Sequence, residues 1–426
     1  MLDLKRVRFE AEAVKRDLAK RGNGAVAAAV DEVVNLDEQR RQLIQQVEEL
    51  KARRNEASKE IARRKKAGSD ADELIQEMKD VSERISQYDD RLGASEDRIH
   101  QLLLEIPNTP LAAVPAGDES ANQHVRSWGE PLESADWRKP HWELGAELGL
   151  LDLERGAKLS GSGFPIYVGL GARLQRALIN FMLDLHQREH GYVEVQPPYL
   201  VRSETMMGTG QLPKLADDAY RIEGDDLWLI PTAEVPLTNL HGGEVLSPED
   251  VPRHYVAYTA CFRREAGAAG RDTRGVLRIH QFDKVELVRL ERPEDSPSAL
   301  EELTRQAETI LQRLGLPYRV VLLAGGDIAQ SSSMTYDLEV WSPGVGRWLE
   351  VSSCSNCSDY QARRAGLRYR RERNAKPEYL HTLNGSGLAL PRTLIALLEN
   401  CQREDGGIEL PEALHSYMGC TRIEPV

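Results

Sequence analysis

The chain has 426 residues, 41% of them hydrophobic, enough for a substantial core and two or three domains, and no apolar run approaches the roughly 20 residues needed to span a bilayer. A formal net charge of -13 argues against wholesale wrapping by nucleic acid but leaves room for a local basic surface, because the field near a site follows the distribution of charge. Five cysteines, of which only Cys354 and Cys357 are close in sequence, make no disulfide framework, and the segment from Met1 to Glu10 is charged rather than an apolar signal core, so a reduced, cytoplasmic protein is the expectation.

From Val33, the positions Val33, Leu36, Arg40, Leu43, Val47, Leu50, Arg54, Ala57 and Ile61 step by three and four, a helical seam with two basic interruptions. Gly68 and Ser69 break it, and Asp70 with Glu73 reads as a capping box. A second seam runs Leu74, Met78, Val81, Ile85, Tyr88, Leu92, Ser95, Ile99, Leu102, Ile106. Two helices of matching length joined by a tight turn should pair antiparallel and, at about 35 residues and 1.5 Å each, reach on the order of 50 Å from the body. The far end carries Lys51, Arg53, Arg54, Lys59, Arg63, Arg64, Lys65 and Lys66 against Glu56 and Glu60. Such a cluster reads equally as a solvated coiled-coil face or as a surface for a phosphate backbone.

Pro107-Asn108-Thr109-Pro110 ends the second helix and Pro115 to Asn122 reads as a linker, which divides the chain into an arm over 1–110 and a second domain over 111–426. Beyond the linker, helical patterns at Gly171 to His190 and Glu301 to Leu314 interleave with strand-like runs at Tyr192 to Val195, Leu227 to Ile230, Tyr255 to Phe262, Val276 to Leu290, Tyr318 to Leu323, Tyr336 to Trp341 and Arg347 to Ser352. Short turns such as Ser342-Pro343-Gly344 predict antiparallel hairpins and an α+β fold.

The chemistry concentrates on a predicted strand, loop and strand: Tyr258 to Glu265, Ala266 to Gly275, Val276 to Val288. An arginine fork holds phosphate, a carboxylate accepts from an adenine amino group, and a phenyl ring stacks on a base, so Arg263, Glu265, Arg278 and Phe282 together suit a nucleoside triphosphate. Taken singly, each is as ordinary as a surface ion pair or a core aromatic. Gly385-Ser386-Gly387-Leu388-Ala389-Leu390-Pro391-Arg392 adds an arginine where a helical pattern begins, over Thr393 to Asn400. One Cys-x-x-Cys pair, Cys354 to Cys357, without a second pair or nearby histidines is incomplete for zinc and reads as structural. His280 reads as a structural histidine rather than a general base.

Phe262-Arg263-x-Glu265 resembles motif 2 of the class II aminoacyl-tRNA synthetases, and Gly385 to Arg392 resembles motif 3; Thr232-Ala233-Glu234 and Glu350-Val351-Ser352-Ser353 narrow the likeness to the bacterial-type seryl-tRNA synthetases over nearly the whole chain. Pro391 stands where many class II enzymes carry an acidic residue, a departure the seryl branch tolerates. The resemblance implies an N-terminal antiparallel two-helix coiled-coil arm and a class II catalytic domain built on an antiparallel sheet. It implies ATP and Mg2+, with Arg263 and Arg392 catalytic: Arg263 on the α-phosphate and the amino-acid carboxylate, Arg392 on the γ-phosphate. Glu265 would take the adenine amino group, Arg278 the terminal phosphates and Phe282 the adenine face, with Ile279, Val351 and Ser352 completing the nucleotide site. Glu350 and Ser353 would hold magnesium through hard oxygens. L-serine would meet Thr232, Ala233 and Glu234 at its ammonium group, Arg263 at its carboxylate, and Glu286, Asn384 and Ser386 at its hydroxyl. Arg53, Arg54, Arg63, Arg64, Lys65 and Lys66 would grip tRNA(Ser), with tRNA(Sec) a second candidate. Gly191 to Pro198, resembling the end of motif 1, implies a homodimer.

Overall fold

The computed structural model describes residues 1–133, 135–266 and 274–425. Its internal contacts separate two compact units, one made of Leu2–Ala19 and Asn23–Pro107, the other of Met1, Lys20–Gly22 and the chain from Asn108 onward. Among the described residues no helix is long and apolar enough to cross a membrane.

The first unit is helical. Two short helices, Leu4–Phe9 and Ala11–Ala19, precede α1 (Ala25–Lys66) and α2 (Asp72–Glu105). Helix α1 starts earlier than its seam because the run Ala25-Val26-Ala27-Ala28-Ala29 is made mostly of the best helix former. Every position of both predicted seams is buried or half-buried. Near the turn Ala57, Met78, Val81 and Ile85 pack with Leu50, Ile61 and Leu74. Ion pairs tie the helices in antiparallel order, Arg98 to Glu32 at 2.8 Å, Arg40 to Glu96 at 3.1 Å and Lys51 to Asp89 at 3.6 Å. The buried Asp37 would be pushed up in pKa by desolvation, but Arg8, at 2.6 and 2.9 Å, with Arg40 holds it below the usual carboxylate range. The predicted capping box is replaced by a simpler arrangement: Ala71 is the N-cap of α2, and the Asp70 carboxylate accepts from the Asp72 N–H at 2.9 Å.

The second unit is α+β. In chain order its main elements are β1 (Gln123–Trp128), α3 (His141–Glu147), α4 (Leu170–Arg188), β2 (Val193–Glu194), β3 (Arg253–Phe262), β4 (Gln281–Glu291), α5 (Ser296–Arg313), β5 (Tyr318–Leu322), β6 (Met334–Ser342), β7 (Arg347–Asn356), β8 (His381–Ala389) and α6 (Leu390–Asn400). Among the described residues these strands form one eight-stranded sheet in the order β1-β5-β6-β7-β8-β4-β3-β2, antiparallel throughout except for the edge pair β2 and β3. Helices α4, α5 and α6 share a core with one face of it, through Leu178 and Met182, Leu303 and Ile310, Ile395 and Leu398, against Val285, Leu287, Leu338, Val340 and Val351. Strand alternation turns Lys284 and Glu286 away from that core. In register, Ser386 lies opposite Glu286, and Asp337 opposite Ser353.

Two strand predictions change. The run from Val276 to Leu290 becomes a strand only from Gln281, and the preceding strand stops at Phe262, with Glu265 in the left-handed region at φ 50°. Val276, Leu277 and Ile279 are apolar because they plug into the main core, not because they pair in the sheet. Strand β1 was not predicted, since as an edge strand its side chains are mostly exposed and its sequence shows no apolar alternation.

Candidate active site

A cleft of about 400 Å³ opens on the sheet face away from α4, α5 and α6. Several pieces of chain line it, and four of them carry the expected site residues. The β3–β4 connection supplies Arg263, Glu265, Arg278 and Ile279, and the start of β4 Phe282; β7 supplies Glu350 and Ser353; β8 and the first turn of α6 supply Asn384, Ser386 and Arg392; and the segment ending in the short helix Glu234–Thr238 supplies Thr232 and Glu234. Residues spread over 160 positions therefore face one space. The predicted loop Ala266 to Gly275 lies largely outside the described residues.

The cations at one end are balanced by carboxylates. Arg278 Nη1 donates to Glu265 Oε2 at 3.0 Å, and Arg392 Nη1 donates to the Glu350 backbone oxygen at 2.9 Å and to its Oε2 at 3.2 Å. The Arg263 guanidinium stands 5.2 Å from the centroid of Phe282, so a planar cation and an aromatic face line the same wall. Such an arrangement can take a polyanion bearing a flat ring: phosphate oxygens replace carboxylates on the arginines, and the ring finds a stacking surface.

At the other end the site is anionic and better enclosed. Glu286 and Lys284 form a buried ion pair, and Glu286 sits opposite Ser386 on the neighbouring strand. Glu234 Oε1 accepts from Gln361 Nε2 at 2.6 Å and from Asn384 Nδ2 at 3.0 Å, while the Glu234 N–H donates to Thr232 Oγ1 at 3.2 Å. Burial first, and then the charge of Glu286, push the Glu234 carboxyl up to about 7, against the pull of Gln361, Lys284 and Arg263. A cationic ligand group there would restore its ionised form.

The donor set beside Arg392 fits magnesium. Among the described residues no cluster of three histidine, cysteine or acidic side chains could hold a metal by itself, so a cation at Glu350 and Ser353 would draw further oxygens from a bound phosphate and water, as magnesium does. Behind them Asp337 Oδ1 is buried with no hydrogen-bond partner among the described residues. Burial and the charge of Glu350 raise the Asp337 pKa well above the usual range, opposed by a hydrogen bond from Ser353. This concentration of hard oxygen suits a dication.

Ala233, Val351 and Ser352 do not reach the cleft with their side chains. Ala233 and Val351 are in the cores, and Ser352 Oγ donates to the Ser386 backbone oxygen at 2.7 Å, tying β7 to β8. His280 stacks on Phe164 at 5.1 Å and its Nδ1 lies 3.1 Å from the Arg263 backbone oxygen, a packing role. Cys354 and Cys357 are free and wholly buried, and burial raises both thiols to about 12. Lys284 was missed, although its spacing of two from Glu286 on a strand was a usable signal. Gln361, on the helix Tyr360–Ala365, was missed for lack of any local signal. The arm cations lie in the other unit: Arg63 and Arg64 pair with Glu60 at 2.9 and 3.0 Å, Arg53 pairs with Glu77, and Arg54 is half-buried on the seam. Lys65 and Lys66 are exposed.

Comparison with known proteins gives the family. Residues 1–110 match the family model of the seryl-tRNA synthetase N-terminal domain, and residues 218–401 that of the tRNA synthetase class II core domain (G, H, P, S and T). A serine-tRNA ligase of Carboxydothermus hydrogenoformans is 55% identical over 99% of both chains. The crystal structure of a seryl-tRNA synthetase from Pyrococcus horikoshii complexed with ATP superposes with a TM-score of 0.96 at 39% identity, covering 100% of each chain. A cytoplasmic serine-tRNA ligase from Naegleria fowleri in complex with AMP gives 0.89 at 29% identity over 100% of this chain and 99% of that one. The resemblance read from the motifs holds along the full length, and the chain belongs to the seryl-tRNA synthetase family of class II aminoacyl-tRNA synthetases.

Proposed function

We propose that this chain activates L-serine with ATP and transfers the seryl group to tRNA(Ser), using the cleft residues in the roles that follow. The observation that carries the reading is the convergence of Arg263, Phe282 and Arg392 on one side and Glu234, Glu286 and Ser386 on the other within a single cleft. It offers a polyanion site with an aromatic wall next to a small, polar, anionic one.

In the first step a serine carboxylate oxygen attacks the α-phosphorus of ATP, the bond to the β-phosphate oxygen breaks, and pyrophosphate leaves. No general base is needed, because the substrate carboxyl is already ionised near neutral pH. Arg263 orients the carboxylate against the α-phosphate and offsets charge that develops there. Arg278 and Arg392 hold the terminal phosphates, Glu265 accepts from the adenine amino group, and Phe282 stacks on the base. Glu350 and Ser353 would hold magnesium, which would supply positive charge to offset that of the leaving pyrophosphate.

Serine is recognised at both its polar ends. Glu234, kept in place by Gln361 and Asn384, pairs with the ammonium group. Glu286 and Ser386 pair with the hydroxyl, which penalises alanine by leaving buried polar groups unsatisfied. In the second step a ribose hydroxyl at the 3′ end of tRNA attacks the seryl carbonyl, and AMP leaves.

The arm, residues 1–110, is assigned to the tRNA, with Arg53, Arg54, Arg63, Arg64, Lys65 and Lys66 contacting phosphates of a long variable arm. tRNA(Sec) is a second candidate for the same contacts. A homodimer is supported by the outer edge of β2, which pairs with no further strand among the described residues and where Val193 is 58% exposed. The reaction belongs in the cytoplasm, where charged tRNA serves translation. Amino-acid-dependent ATP–pyrophosphate exchange tests the reading: exchange with serine and not with alanine, glycine, threonine or cysteine is expected, and no exchange with serine would sink it.

A further inference from the structure

Arg278 and Ile279 enter the cleft on a return leg, residues 274–279, that precedes β4 and takes no part in the sheet. Its position has to be held by something else. His141, the first residue of α3, is completely buried, and its ring meets the leg directly: the Val276 N–H donates to His141 Nε2 at 3.2 Å. On the other side of the ring, Nδ1 lies 2.9 Å from Glu399 Oε1, near the end of α6. A carboxylate only accepts, so Nδ1 carries the proton, and Nε2, facing an N–H, is bare. The imidazole is neutral and locked in one tautomer.

Glu399 is itself fixed from several sides. Its Oε1 also accepts from the His141 N–H at 3.0 Å, and its Oε2 accepts from the Gly344 N–H at 2.9 Å, the Val345 N–H at 3.3 Å and the Ser342 hydroxyl, all at the β6–β7 turn. The residue after His141 grips the leg a second time, with the Arg274 guanidinium 4.7 Å from the Trp142 ring centroid. Between the two grips lies Gly275, at φ 62°, where an added Cβ would stand 2.1 Å from His141 Nε2. The ring is seated against backbone that has no room for a side chain.

We propose that His141, oriented by Glu399, is a positioning residue for nucleotide binding: it sets the path of residues 274–279 and through them the place of Arg278 at the terminal phosphates. The inference rests on the ATP reading above. It separates His141 from core residues that merely fill space, because the ring's contribution lies in one acceptor atom at one place.

The test measures KM for ATP and KM for serine in pyrophosphate exchange, together with thermal melting, for His141→Phe, His141→Gln and His141→Asn. Glutamine can put its carbonyl oxygen where Nε2 now sits; asparagine reaches only as far as Nδ1. His141→Asn and His141→Phe should raise KM for ATP roughly tenfold with KM for serine within about twofold, and His141→Gln should recover most of the loss. Equal KM for ATP in the asparagine and glutamine variants would overturn the proposal, as would a parallel rise in both KM values that tracks the loss of melting temperature. Should the phenylalanine variant not fold, the asparagine and glutamine pair still decides. Wild-type enzyme that shows no serine-dependent exchange would instead remove the underlying ATP reading, before any variant is compared.

Discussion

The helical arm and the cleft are built by opposite means. In the arm each side chain's environment follows from neighbours three and four positions away and from one antiparallel partner, so the pattern Val33, Leu43, Val47, Ala57 recurs along a single line. In the cleft, Thr232, Arg263, Glu350 and Arg392 share a space only because the fold brings distant segments together around a mostly antiparallel sheet. The difference predicts that chemistry and tRNA capture can be damaged separately.

The largest separation should come from Arg263→Ala. In the proposed mechanism Arg263 orients the serine carboxylate against the α-phosphate, so its loss is expected to cut pyrophosphate exchange by roughly a thousandfold, without changing the helical content or melting of the arm. Exchange within tenfold of wild type would remove Arg263 from the catalytic role. The reciprocal experiment reverses charge at Arg63, Arg64, Lys65 and Lys66. We expect tRNA aminoacylation to fall by roughly a hundredfold in kcat/KM while exchange stays within about twofold, with a weaker salt dependence than wild type. Unchanged aminoacylation would return that cluster to a solvated face.

A finer comparison is between the two ends of the cleft. In the proposed mechanism Glu234 must be ionised to attract the serine ammonium, and its carboxyl is raised to about 7 by burial and by Glu286. As pH falls below about 7 the carboxyl becomes protonated and the attraction is lost, so KM for serine should rise by up to about tenfold per pH unit while KM for ATP stays nearly flat. Glu234→Gln should remove that dependence; a serine KM indifferent to pH in the wild type would show that Glu234 does not meet the ammonium. The smallest functional effect is expected from the arm's core: Ile85→Ala, at a site 5% exposed, should destabilise the arm by about 2–4 kcal/mol, seen in its melting, and leave exchange unaltered. A matching loss of exchange would mean that the two units are energetically coupled.

Legibility differed between these regions for physical reasons. Both arm helices were readable to within a few residues at Lys66, Asp72 and Glu105, whereas Ala25 was not, because alanine carries helix propensity without marking a face. In the second unit, β3, β6 and β7 were readable from apolar alternation and turn residues. Val276 to Ile279 was misread as strand because an apolar run carries no record of whether it pairs or plugs a core. Arg263, Glu265, Phe282 and Arg392 were legible through their motifs. Gln361 and His141 were not: each acts by meeting atoms more than a hundred positions away, at Glu234 and at Val276 and Glu399.

What the chain determined by itself is therefore local: the seam periods, the turn residues, the basic cluster near Lys66, and the types of group gathered around Arg263 and Arg392. What only the tertiary structure decided is which of those groups face one another and in what state of charge. Hydrophobic period and propensity act between near neighbours, while desolvation, ion pairing and hydrogen bonding act on whatever the fold brings within a few ångströms. The Glu234 carboxyl, raised to about 7 by burial and by Glu286, is the clearest case.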